Sequence, residues 1–508
     1  MTASSYDAVV LGSTLSGLLT GALLSRRGCR VLVLGQHERP NTYDIAGYTL
    51  PRERTPFLAA HCPVARRTMS ELALHQLFRR KASAMDPAFQ VALPGIRFDM
   101  ATDADVLDAE ILREFGDVRR PVGDALRTVT HVGERLDALF ERDLAWPAQT
   151  FFERREFSRA TAHQGFRERS GDWDPLEELP RDHAFRRVVQ LPAMLGTNID
   201  PQQLNGQALC RVFEAWWKGA AHIDGGHAWL EEALREKILS HSGAVHERAA
   251  AEKLIVRGGR VVGLRVHDTD DDIGADYVIA AGTIGELLRV VPDRGVFEQL
   301  FERRGEPQAR WFRFTLNLVV RAGCIPEGMA RDVFAALSDD STAAPLYVSL
   351  GPIEDGKQLL CVQTLIARRD VEERGERLAT ERERILAELS RLIPFLLDGK
   401  RLLLVDSPHD GRDAHDHEHG VQVPSQSPWE RGPATMSTLY GYPVRDGLGF
   451  CGLPARTPLK NLLLAGPHNV PALGLEGAFL AAQTAARVVG KRGRGKSLRN
   501  RAWIKTEL

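Results

Sequence analysis

The chain has 508 residues, 43% of them hydrophobic and 26% charged, with a formal net charge of −1. That length allows two or three domains around large cores. The near-zero charge excludes a protein-wide field of the kind that recruits nucleic acid, so no nucleic-acid partner is expected. Six cysteines (Cys29, Cys62, Cys210, Cys324, Cys361 and Cys451) include no CxxC pair, which argues against a zinc knuckle or a dithiol redox motif. They read as buried thiols in a reducing compartment. No basic stretch precedes the first apolar run, MTASSYDAVVLG, so a secretory signal is not expected. No run reaches the roughly 20 apolar residues of a membrane-spanning helix, and a cytoplasmic location is the expectation.

In chain order, residues 6–34 read as a βαβ unit: a strand at 7–11, a helix rich in small residues at 15–27 closed by Gly28, and a strand at 30–34. From about 74 to 217 the sequence becomes helical, charged and aromatic, with poor strand signal. Residues 225–243 predict a helix with a glycine stop. Residues 252–281 predict short strands with a hairpin at Gly258–Gly259. A half-buried strand is predicted at 311–320, with 346–350 and 358–366 as its partners. Residues 370–397 predict an amphipathic helix with its stripe on Leu378, Ile385, Leu389, Leu392 and Leu396, perturbed at Pro394. Residues 407–423 read as a polar loop, 462–464 as a strand, 474–489 as a final helix, and 491–505 as a basic tail.

Three separated stretches carry a family resemblance: YDAVVLGSTLSGLLTGALLSRRGCRVLVL; GGHAWLEEALREKI with AAAEKLIVRGGRVVGLRV and IGADYVIAA; and MSTLYGYPVRDGLGFCGLPARTPLKNLLLAGPHNVPALGLEGAFLAAQTAARVV. A weaker patch is GYTLPRERTPFLAA at 47–60. Together, in this order, they resemble the FAD-dependent amine oxidases and, more closely, the phytoene desaturase and retinol saturase branch. The resemblance implies an α/β fold. A Rossmann-like FAD-binding domain is assembled from discontinuous segments (1–75, 221–300 and 426–490), with an inserted α+β substrate domain (a cap at 76–220, a sheet and helix at 301–425) and a tail at 491–508.

Such a site sets a pyrophosphate against a helix N-terminus, where unpaired N–H groups and the dipole stabilise its charge. Gly12 fits the tight turn and Gly17 the close packing of helix on strand. Thr14 stands in the middle glycine's place, and Ser16 replaces a further glycine common in the branch. The hydroxyls of Ser13, Thr14 and Ser16, around Leu15, either donate to phosphate or cap the helix with no ligand present. The family's strand-end glutamate, which accepts from the adenosine ribose, is replaced by Gly35. Gln36 and Glu38 follow but point elsewhere if the strand alternates. Losing that charge-assisted bond costs about 1.5–3 kcal/mol, or roughly one to two decades of affinity. A Gly35→Glu substitution is therefore expected to strengthen FAD binding if the site is merely weakened, and no gain would mean that the pocket itself is closed.

The resemblance also sets Ala251 at the adenine edge and Gly466–Pro467 at the flavin-end turn, where Pro467 has no N–H to offer. Gly477 and Ala478 would face the flavin pyrimidine edge, and Glu476 either joins them or serves as a dipole partner of its own helix. No catalytic acid or base can be nominated; His468 and His61 are nearest by motif position. His415, His417 and His419 sit among acids but read as a solvated loop, and no metal is expected. Trp216–Trp217 either lines a lipid tunnel or, as expected, packs in the core. The tail basics suit either anionic lipid headgroups or a solvated terminus. Two readings follow. One is an FAD-dependent oxidoreductase for an apolar small molecule such as an isoprenoid, polyene or lipid. The other is a flavin-free lipid carrier, scaffold or interaction protein with a protein partner, as Rab GDP-dissociation inhibitors are on this fold.

Overall fold

A computed structural model of the chain describes residues 5–162, 166, 173–267, 272–338, 343–373, 377–398, 400–424 and 435–504. The sheet nearest the glycine turn is built around strand Ser5–Leu11, whose last four residues are fully buried. That strand runs parallel to Val31–Leu34 on one side and to Asp272–Ala280 on the other. Ala244–His246 continues the sheet beyond Val31–Leu34, while Arg260–Val266 and Ala251–Arg257 extend it antiparallel from the first half of Asp272–Ala280. The second half of Asp272–Ala280 takes Leu462–Leu464 in parallel. Val/Ile/Leu runs buried on both faces suit such parallel strands. The Gly258–Gly259 hairpin forms as expected, with φ of +58° and +70°.

Helices Leu15–Arg26, Gly226–Ser240 and Gly474–Ile504 pack together beside this sheet. Gly21 permits a close approach: a Cβ there would meet Val33 at 2.9 Å and Ile238 at 3.1 Å. The final helix runs on through the basic stretch to Ile504. Among the described residues no helix is long and apolar enough to cross a membrane.

A ten-stranded sheet forms the second layer, with the long strand Gln308–Arg321 as its spine. Lys357–Ala367 pairs along its whole length, but Leu346–Glu354 pairs with Lys357–Ala367 and not with the spine. Helix Arg377–Leu392 stops before Pro394 and buries the stripe residues Leu378, Ile385, Leu389 and Leu392, while Leu396, past its end, is buried as well. The polar stretch 407–423 is not simply a loop. It contributes the edge strands Ala414–Asp416 and Val421–Val423, because Ala414 and Asp416 face inward while His415 does not. Strand signal in the cap was also missed. Phe89–Leu93 and Ile96–Met100 join the sheet edge beside Asp332–Ala335. The rest of the cap is helical, led by Arg119–Phe140 and Gly206–Trp217. Trp216 is core, fully buried against Phe334 and Tyr347.

Candidate functional site

The parallel strands end side by side, with Leu11 opposite Ala280 and Ala280 opposite Leu464. Open α/β sheets bind ligands outside such carboxyl ends. A cavity of about 280 Å3 lies there, and its wall includes Thr14, Leu15, Ser16, Gly466, Pro467, Gly477 and Ala478. It is at the small end of the range for ligand pockets.

Gly12 has φ +108° and donates its N–H to Leu34 O at 2.8 Å. A Cβ on Gly17 would fall 2.1 Å from Gly12 O, so this position requires glycine. Thr14 is the N-cap of helix Leu15–Arg26: its hydroxyl accepts from the Gly17 N–H and donates to Ala281 O, both at 3.4 Å. The Ser16 hydroxyl donates to Ala465 O, tying the first segment to the third. These two hydroxyls are thus turned onto the protein. The N–H groups of Leu15 and Ser16, in the first helical turn, have no acceptor among the described residues and remain free for an anion. On the facing turn, Gly466 N–H donates to Asn469 Oδ1 at 2.8 Å.

The end of the second strand corrects two expectations. Gly35 N–H donates to His246 O and Gln36 N–H to Ala249 O, both at 3.0 Å. A Cβ on Gly35 would lie 2.0 Å from Glu247 O, so backbone closes this position to any side chain, and Gly35→Glu cannot restore a ribose contact. Gln36 and His37 then adopt φ of +56° and +57°, which ends the strand alternation and turns Glu38 back onto the glycine turn. Glu38 Oε2 accepts from Ser13 Oγ at 2.7 Å, and the Ser13 and Thr14 N–H groups donate to the same carboxyl. Although Glu38 is an exposed residue, desolvation of its carboxyl against the turn pushes it up to about 7; the bonds from the turn pull it down and Glu286 pushes it up again. Gln36 and Ala251 stand outside the cavity, Ala251 opposite Val266 in the strand ladder.

Glu476 takes the second of its two readings, an acid in the first turn of its own helix, with a further partner. It is buried in the first turn of the final helix, and Arg211 from the cap holds it bidentately at 2.7 and 2.8 Å. The same guanidinium reaches Glu214 at 2.9 Å and Asp137 at 2.7 Å. Burial pushes the Glu476 carboxyl up, but Arg211 more than offsets this and holds it below the usual range. Glu476 is therefore the cap's anchor on the final helix and does not line the crevice.

Among the described residues His227 is the one titratable side chain on the cavity wall, and the sequence reading passed over it. It hydrogen bonds to the backbone of Thr55 and Pro56. Proline has no N–H, so the ring donates to its carbonyl. Its Nε2 is enclosed by protein and has no partner among the described residues. Burial lowers its pKa, so the ring is neutral at neutral pH. The available signal was a histidine directly after the Gly225–Gly226 turn inside a family-matched stretch. His468 and His61 lie off the wall: His468 meets Tyr442 Oη at 2.7 Å, and burial lowers it to about 3, while burial and Arg211 lower His61 to about 4. Among the described residues no histidine–acid group fits a metal; the His415 and His417 rings lie tilted against each other at 4.0 Å and His419 pairs with Asp416.

No family model matches the chain, and no curated protein matches its sequence. Solved structures do match its shape. They share its fold, an α/β architecture with a parallel sheet and helices. An oxidoreductase from Methanosarcina mazei is similar at a TM-score of 0.57 and 16% identity, covering 92% of this chain and 98% of its own. A triple mutant of putrescine oxidase aligns at 0.56 and 16%, over 96% and 99% of the two chains. Cyclohexylamine oxidase from Brevibacterium oxydans IH-35A aligns at 0.54 and 14%, over 96% and 99%.

Proposed function

We propose that the chain is a cytoplasmic FAD-dependent oxidoreductase that moves a hydride between flavin and an apolar substrate of isoprenoid, polyene or lipid-like kind. The observation that carries this reading is the convergence of three separated segments on one crevice, with free helix N–H groups and a carboxylate at the glycine turn. The residues present fit the cofactor. The Leu15 and Ser16 N–H groups would hold pyrophosphate, and Glu38 would take the ribose hydroxyls in place of Gly35. Gly477 and Ala478 would border the pyrimidine edge. Bound flavin supplies the two-electron chemistry, and the protein supplies position and electrostatics.

Leu15, Leu58, Leu195, Val470 and Leu475 give the cavity apolar walls. Among the described residues no charged side chain lines it to pair with an ionic substrate, which supports the apolar class. The test is a titration of the purified protein with FAD, read by absorbance and fluorescence quenching. Saturable uptake supports the proposal, whereas a colourless protein that takes up no FAD at high concentration returns the flavin-free carrier reading.

A further inference from the structure

Helix Phe151–Thr161 (FFERREFSRAT) is fixed firmly on one side and bare on the other. Thr150 and Glu153 form its capping box, and Arg456 grips Glu153 at 2.7 and 3.0 Å. Phe157 packs edge-on against buried Trp146, with ring centroids 5.0 Å apart. On the open side Phe151 and Phe152 are 72% and 79% exposed, the highest of any large apolar side chain among the described residues. Their rings meet edge to face at 5.7 Å. One turn further on, Arg155 and Arg159 are exposed and have no acidic partner among the described residues. Glu156, which might have neutralised them, is engaged at 2.7 Å by Arg487 of the final helix. Arg487 lies just before the stretch where that helix becomes KRGRGKSLRNR, residues 491–501.

We infer that this face docks on an anionic lipid surface. The paired phenylalanine rings enter the boundary between headgroups and acyl chains, and Arg155 and Arg159 meet the negative headgroups. Aromatic rings flanked by unpaired cations are the complement of such a surface, whereas a second copy of this chain would bring like charge against like. The inference does not depend on the flavin reading, since no residue of the crevice takes part.

Full-length protein is sedimented with phosphatidylcholine vesicles containing phosphatidylglycerol, and separately with phosphatidylcholine alone. Binding to the anionic vesicles is expected to weaken roughly tenfold in Phe151→Ser/Phe152→Ser and in Arg155→Glu/Arg159→Glu, and to fall with added salt. Both variants change exposed side chains, and an unaltered thermal midpoint checks that they fold. FAD uptake is measured on the same samples, so loss of vesicle binding is separable from loss of the cofactor site. Absence of wild-type binding, or equal binding by wild type and both variants, overturns the inference. So does a concentration-dependent dimer in sedimentation velocity that the phenylalanine variant abolishes, because the face would then be a self-association surface.

Discussion

Glu38 reaches the glycine turn only because two consecutive residues, Gln36 and His37, take left-handed backbone conformations. Alternation along a strand gives no hint of that, so the acid was invisible to pattern reading although its letter was in view. Glu38→Gln is expected to weaken FAD binding by roughly one to two decades, measured by fluorescence titration. Tighter binding would mean that the carboxylate competes with the pyrophosphate. Gly35→Ala should destabilise the protein by about 1–3 kcal/mol, because its Cβ must displace the backbone at Glu247; an unchanged melting temperature would refute the close approach. His468 sets a pH dependence. The unfolded imidazole protonates near the ordinary value of about 6.5, and the folded one only near 3. Unfolding therefore takes up a proton between these limits, and stability falls as pH drops from about 6.5 toward 3. His468→Asn should flatten that slope in thermal melts across the acid range.

Among the elements, those with unambiguous periodicity were legible: the βαβ opening, the Gly-Gly hairpin, the stripe of helix Arg377–Leu392 and strand Leu462–Leu464. What escaped were short strands set by partners far along the chain. Phe89–Leu93 and Ile96–Met100 sit in a charged, helical stretch and are strands because an open edge beside Asp332–Ala335 receives them. Ala414–Asp416 is similar, held by pairing to Leu402–Asp406. The anchoring of the final helix by the cap is a tertiary fact of the same kind. Arg211 and Glu476 are 265 residues apart, and each looks unremarkable locally. Arg211→Met would leave Glu476, Glu214 and Asp137 without their buried cation. A loss of about 3–5 kcal/mol is expected in urea unfolding, and a loss below about 1 kcal/mol would show that the cluster contributes little.

At the scale of the molecule, the parallel sheet draws its strands from the beginning, middle and end of the chain, and the ten-stranded sheet is threaded between them. The order of the three matched stretches made the fold readable despite the imperfect glycine fingerprint, because Gly12 and Gly17 still meet the turn and the packing requirements. The ligand side was less readable. Thr14 caps its helix and Glu38 folds back onto the glycine turn, and both placements depend on backbone geometry. The account therefore turns on whether the crevice holds FAD. The most direct measurement is the absorbance spectrum of the purified full-length protein after incubation with FAD and removal of free cofactor. The account predicts a retained flavin spectrum that Glu38→Gln diminishes; a colourless protein that retains no flavin would contradict it.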